Sequence, residues 1–304
     1  MERREKLLYG LDTSTAIGVE IGALCRPVVT RTDGVVYYVD HARTEDLRQK
    51  YKDDPQVDVD ALVDVDAVWG QESLSEALEG KRVDYVIASH VVEHVPDLVG
   101  WLTEICAILK SDGQLRLAVP DKRFTFDLMR EESRLSDVLS AYVVRARMPQ
   151  PQAIIDHVLN VRYDVSAGEI WLGSKSNGRP AHTFADAINV AKDAVANDNY
   201  HDVHCWVFTP ASFAKICRQL VENGLLRMSC VKFFDTARNE LEFHVHMQEC
   251  ADVELAAKTW AYMEEIALPF QPQISTPHRV HLRRMQSVPR RLYSIARRVR
   301  GMFQ

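Results

Sequence analysis

Four clusters in this sequence have the residue types and spacing that chemistry needs. Glu20-Ile21-Gly22 closes one short apolar run, and Asp40 closes another twenty residues later. A carboxylate so placed can accept hydrogen bonds from the vicinal hydroxyls of a ribose, and the spacing is that of one strand–helix–strand unit. A helix N-cap or loop acid is the alternative for Asp40, and a plain tight turn the alternative for Gly22. The second cluster is Ser89-His90 with Glu93-His94. His90 and His94 stand four apart and share a face if the segment is helical. A zinc hydrolase needs a glutamate directly after the first histidine, and Val91 stands there. His94 suits a general base for an acceptor hydroxyl, or a hydrogen-bonded structural role.

The third cluster, Asp121-Lys122-Arg123, follows Pro120. Asp121 could orient or deprotonate an acceptor, and the two cations could hold a carboxylate or phosphate. A solvated charge run is the competing reading. The fourth is His201-Asp202-Val203-His204-Cys205-Trp206. Two histidines three apart with an acid and a thiol invite a metal. No fourth ligand stands nearby, so no metal is assigned, and His204 takes an acceptor-binding or supporting role. His182 is a further candidate.

These clusters fall at the ends of recognisable elements. Strands are expected at Ala16–Ile21, Val35–Val39, Ala61–Val65, Val83–Ala88 and Leu115–Val119, the last after a Ser111-Asp112-Gly113 turn. Helices are expected at Thr44–Tyr51, Leu74–Leu78 and Asp97–Leu109. Alternation of this kind predicts a doubly wound, mainly parallel α/β sheet with ligands at the strand C-terminal ends. Thr209-Pro210 opens a helix stopped by Gly224, and Ser229–Phe234 with Leu241–Gln248 predicts an antiparallel hairpin. The expected division is a core of residues 1–121 and 206–250, an inserted lid or substrate region at 122–205, a packing helix at 251–268 and a basic arginine-rich tail at 269–304.

Composition sets the outer limits. The 304 residues are 46% hydrophobic and 26% charged, as in a globular protein with a full core. No apolar run is long enough to cross a bilayer, the N-terminus lacks a secretory apolar segment, and none of the six cysteines forms a CxxC pair. A cytoplasmic protein with reduced thiols is expected. The net charge of −6 divides into +8 on residues 266–304 and −14 on the remainder. An acidic body argues against nucleic acid as a partner. Arginine pairs at 283/284, 290/291 and 297/298 predict a short amphipathic helix for a peripheral membrane or protein contact.

The order of motifs resembles that of the class I S-adenosylmethionine-dependent methyltransferases over residues 15–121, with weaker support from 205–248. Within that superfamily the chain most resembles bacterial methyltransferase-domain proteins associated with surface-glycan machinery. Three stretches carry this: YVDHA at Tyr38–Ala42, IASHVVEHV at Ile87–Val95 and VPDKRFTFD at Val119–Asp127. The first-strand motif keeps one glycine, Gly22, where the superfamily usually has three. The resemblance implies a Rossmann-like fold binding S-adenosylmethionine and a methyl transfer to a sugar or glycan hydroxyl. Gly22 would turn around the amino-acid end of the cofactor and Glu20 accept from its ammonium. Asp40 would hold the ribose and Asp66 the adenine amino group, with Asp60 and Asp64 competing. Ser89 and His90 would line the sulfonium, and His94, Asp121 and His204 would serve the acceptor. A non-catalytic scaffold in glycan assembly and a natural-product methyltransferase are the other readings.

Overall fold

The fold is that of a computed structural model, which describes residues 1–70, 72–173, 178–270 and 272. The arginine pairs of the C-terminal tail lie outside these residues. A short helix, α1 (Arg3–Leu7), leads into the sheet strands β1 (Ile17–Ile21), β2 (Val35–Asp40), β3 (Ala67–Val68), β4 (Val83–Ser89) and β5 (Leu109–Pro120). Helices α2 (Thr44–Tyr51), α3 (Leu74–Ala77) and α4 (Leu98–Ile108) lie between them. The next stretch holds α5 (Leu135–Val144), α6 (Pro151–Asn160), α7 (Ala167–Trp171) and α8 (Phe184–Asn197), with a small ribbon of β6 (Arg162–Tyr163) and β7 (Arg179–Pro180). The chain then closes with α9 (Pro210–Glu222), β8 (Met228–Phe234), β9 (Glu242–Glu249) and α10 (Val253–Ile266).

The seven-stranded sheet has the order β3-β2-β1-β4-β5-β9-β8. The first five strands are parallel, and β9 pairs antiparallel with both β5 and β8. This is the expected Rossmann-like sheet with its terminal hairpin. Strand order reverses between β1 and β4, and in such sheets ligands bind beyond the strand C-terminal ends at this point.

The apolar faces explain the layers. Helix α4 buries Leu98, Trp101, Leu102 and Ile105, with Asp97 accepting the Gly100 N–H as its N-cap at 2.9 Å. Helix α9 starts on a Thr209–Ser212 capping box with Pro210 in the first turn, and it buries Phe213, Ile216 and Leu220. Residues of α5, α6 and α8 join the same core, so the region after β5 packs against the sheet rather than standing off it.

Two expected elements differ. Residues 22–34 form an irregular loop in place of a first crossover helix. Pro27, the left-handed Gly22 and Leu24, and the Thr30–Asp33 turn all resist helical continuation. The third strand lies at 67–68 rather than 61–65, because Asp58 accepts the Asp60 N–H and curls 59–61 into a 3₁₀ turn.

Polar residues are buried under α1. Arg116 on β5 donates to the Leu7 and Tyr9 carbonyls, and the His246 ring on β9 meets the Lys6 carbonyl at 3.0 Å. These satisfy the carbonyls at the end of the short helix. Burial pushes the His246 imidazole down to about 3, so it sits there as a neutral ring.

Gly18 on β1 exists to admit a neighbour. A Cβ there would lie 1.9 Å from the tip of the fully buried Tyr85 ring on β4. Gly18→Ala is expected to cost about 2–3 kcal/mol by overpacking. The Tyr85 hydroxyl has no hydrogen-bond partner, so Tyr85→Phe should leave stability unchanged or raise it by about 1 kcal/mol. Urea unfolding of both variants checks the pair; a destabilised Tyr85→Phe would contradict this packing.

Candidate active site

The edge at the strand reversal is built from backbone turns. Gly22 is left-handed at φ 70°, and a Cβ on it would meet the Val91 side chain at 3.0 Å. The turn after β1 therefore packs directly on the turn after β4. Asp40 ends β2 with one oxygen, Oδ1, held by the His41 N–H and ring at 2.7 and 2.6 Å. Its Oδ2 accepts no hydrogen bond among the described residues.

Glu20 does different work from that expected. Its carboxylate is buried and accepts the Val28 and Val29 N–H groups at 2.7 and 3.0 Å, fastening the far end of the loop. Burial pushes its pKa up to about 7 against the pull of those two donors. Asp66 is also corrected. It precedes β3 and accepts from Arg31 and from the Tyr38 N–H, so it holds the strand entry, and Trp69 and Gly70 follow the strand instead. Ser89 is capped by the Arg3 guanidinium of α1, which also pairs with Glu242.

Beyond that edge three histidine rings converge on one carboxylate. His90 takes a left-handed turn at φ 55°, which starts the loop carrying Glu93 and His94. The segment 201–206 is drawn onto that loop. The Glu93 carbonyl accepts the Cys205 and Trp206 N–H groups at 2.6 and 3.1 Å, and the Trp206 indole donates to the Val95 carbonyl at 2.6 Å. As a result His90 Nδ1, His94 Nε2 and His204 Nε2 lie 3.5, 3.9 and 4.0 Å from Glu93 Oε1. Glu93 is 1% exposed, and neither carboxylate oxygen makes a hydrogen bond among the described residues.

Each ring is backed by a second carboxylate on its other nitrogen. His90 Nε2 meets Glu242 at 2.6 Å, and His204 Nδ1 meets Asp127 at 2.5 Å. His94 Nδ1 lies 2.8 Å from Asp202, as a close ion pair off the N–H axis. Arg130 locks the frame, donating to Asp127, Asp156 and the His204 carbonyl. Burial opposes charge on Asp127, yet the His204 ring and the Arg130 guanidinium hold its carboxyl below the usual range. Burial likewise opposes charge on His94, but Asp202 and Glu93 outweigh it and lift the ring to about 9. His157 accepts the His204 N–H, and burial pushes that ring down to about 3.

The rings floor a cavity of about 560 Å³, walled by Phe126, Val161, Arg162, Tyr163 and His182 among others. Three of the expected site residues, His90, His94 and His204, thus share one pocket. Asp121 does not join them and is corrected. It is fully buried, and its oxygens accept from Arg123 and from the Thr236 hydroxyl. Arg123 in turn donates to the Leu268 and Phe270 carbonyls, and Lys122 to the Leu128 carbonyl. The charge triplet fastens the chain instead of meeting a ligand. His201 pairs with Asp193, and burial pushes the Cys205 thiol up to about 12, so neither belongs to the site. Glu93, Asp127 and Asp202 are site residues that their position in the sequence did not single out. For Glu93 and Asp202 the available signal was an acid within each histidine motif, whereas Asp127 stands far from any histidine in the sequence.

The sheet order and the antiparallel last pair define a Rossmann-like α/β fold. Residues 2–220 match the sequence model of a family described as methyltransferase domain, and the chain belongs to that family. No curated protein matches the sequence significantly. Among solved structures, the chain is similar to the CcbJ methyltransferase from Streptomyces caelestis, at 17% identity and a TM-score of 0.29. That match covers 40% of this chain, which spans about half, 53%, of the other's length. A putative Zn-dependent alcohol dehydrogenase from Rhodobacter sphaeroides matches at 12% identity and TM-score 0.41, over 81% of this chain and 88% of that one. A DhpI–SAH complex matches at 12% and 0.36, over 77% of each chain. At these values the likenesses add nothing to the fold read from the sheet itself.

Glu20 gives a pH test of the loop. Its folded pKa exceeds its ordinary 4.5, so the folded state binds the extra proton. The group's contribution to stability is full below about pH 4.5 and is lost as pH rises through about 7. Relative to Glu20→Gln, the wild type should lose roughly 2–3 kcal/mol of unfolding free energy between about pH 5 and about pH 8. A flat difference across that range would show that Glu20 ionises normally.

Proposed function

We propose that the chain is an S-adenosylmethionine-dependent O-methyltransferase acting on a sugar or glycan hydroxyl held in the histidine-floored cavity. The observation that carries this is the direct packing of the Gly22 turn on Val91, between His90 and His94. It brings the turn after β1 against the loop that carries His90, Glu93 and His94 to the cavity. The cofactor fits the residues present. Asp40 keeps Oδ2 for the ribose hydroxyls, and the left-handed Gly22 leaves backbone exposed where a side chain would intrude. When bound, it supplies an electrophilic methyl group.

The chain's own part is positioning. Holding donor and acceptor at attack distance can lower the barrier by roughly 7–11 kcal/mol. Phe126 and Tyr163 offer partly exposed rings to the cavity beside Arg162, Asp164 and His182. Flat apolar faces interleaved with hydrogen-bonding groups suit a sugar ring. Asp127 fixes the His204 tautomer with its proton on Nδ1 and its lone pair on Nε2, toward Glu93 and the cavity. That lone pair can receive a hydroxyl proton or hold a cation.

Calorimetry with S-adenosylhomocysteine tests the reading. Wild-type protein should bind in the micromolar range, and Asp40→Ala should bind at least about tenfold more weakly, some 1.4 kcal/mol. Absence of heat with millimolar ligand would leave a non-catalytic scaffold with a methyltransferase fold.

A further inference from the structure

We propose that Glu93, His94 and His204 bind a divalent transition-metal ion, of the zinc class, in the floor of the acceptor cavity. Their donor atoms, one carboxylate oxygen and two Nε2 atoms, all lie within 4.8 Å of one another. The two Glu93-to-ring separations, 3.9 and 4.0 Å, exceed by about 0.5 Å the roughly 3.4 Å spanned by two bonds of ~2.1 Å at a tetrahedral angle. Small side-chain rotations close that gap.

Three features separate this cluster from an ordinary buried polar network. First, Glu93 is buried and neither of its oxygens accepts a hydrogen bond among the described residues, which leaves the lone pairs that a metal ion would take unused. Second, Asp202 and Asp127 stand behind the Nδ1 atoms of His94 and His204. Carboxylates in that position orient metal-binding imidazoles and raise their basicity. Third, two histidines and one carboxylate leave coordination positions open toward the cavity, as catalytic metal sites do. Two imidazole donors favour zinc, iron or cobalt over magnesium or calcium. His90 Nδ1 lies 3.5 Å from the same Glu93 oxygen.

The ion site stands on this geometry alone; its role rests on the methyl-transfer reading. An acceptor hydroxyl oxygen on an open position would lose its proton to water more readily, leaving the oxygen as the nucleophile. The O–CH₃ bond then forms as the donor's S–CH₃ bond breaks, with that electron pair returning to sulfur.

The test uses the full-length, tag-free chain, stripped with chelator and titrated with zinc chloride or cobalt chloride. Wild type should bind one equivalent with sub-micromolar affinity, with visible cobalt bands of low coordination number. Glu93→Gln and His204→Ala should each weaken binding at least about 100-fold, and Asp127→Asn about 10- to 100-fold. Glu93→Gln keeps the side chain's shape and breaks no hydrogen bond, so its metal-free melting temperature should stay close to that of wild type while the zinc-induced rise disappears. No binding by wild type, or unchanged binding by Glu93→Gln, overturns the site. Zinc binding without any S-adenosylhomocysteine binding would uphold the ion site and overturn only the methyl-transfer role.

Discussion

The molecule's functional end depends on one backbone carbonyl. Glu93 O accepts two N–H groups, from Cys205 and Trp206, and so ties the end of the long inserted region to the loop after β4. Without that clamp His204 and His94 would have no reason to meet. With it, their rings sit edge to face, 4.7 Å between centroids. The neighbouring Trp206 ring is driven into the core, where its indole donates to Val95 O, so apolar burial holds the polar clamp in place. Two hydrogen bonds shielded by a buried tryptophan are worth more than their exposed equivalents, because water cannot compete for them.

The clamp also concentrates charge where little solvent reaches. Asp127, Arg130, His204 and Glu93 are all buried, as is Glu242 behind His90. Such a set is tolerable because almost every member has a partner. Arg130 alone spans Asp127, Asp156 and a main-chain carbonyl. The Glu93 carboxylate is the exception, ringed by imidazole nitrogens at distances too long for a hydrogen bond. The network closes around a carboxylate that no donor reaches at hydrogen-bond distance among the described residues. The Gly22–Val91 contact packs the turn after β1 against the loop that carries that carboxylate.

Some of the expected chemistry dissolved into architecture. Asp121-Lys122-Arg123 occupies the C-terminal edge of β5, where ligands bind in such sheets, yet it serves to anchor residues 268–270 and Thr236. Glu20 and Asp66 each hold backbone N–H groups of their own neighbourhood. A loop that lacks a helix has amides left over, and buried amides must find acceptors. The missing first crossover helix is therefore the reason that Glu20 turns inward.

The sequence by itself determined the alternation of strands and helices, the terminal hairpin, the α9 cap at Thr209-Pro210 and the acid at the end of β2. All are local: periodicity, capping and turn chemistry act over a few residues. It also displayed the three converging histidines, His90, His94 and His204, within two short motifs. Only the tertiary structure decided which of them meet. The three rings and Glu93 come from two segments more than a hundred residues apart, and their acids come from the His204 segment itself, at Asp202, and from two further segments, at Asp127 and Glu242. Whether a charged side chain faces a cavity or a backbone amide depends on what packs over it, and no local pattern encodes that. The weak third strand failed for the same reason, since its place was set by pairing with β2 rather than by its own apolar content.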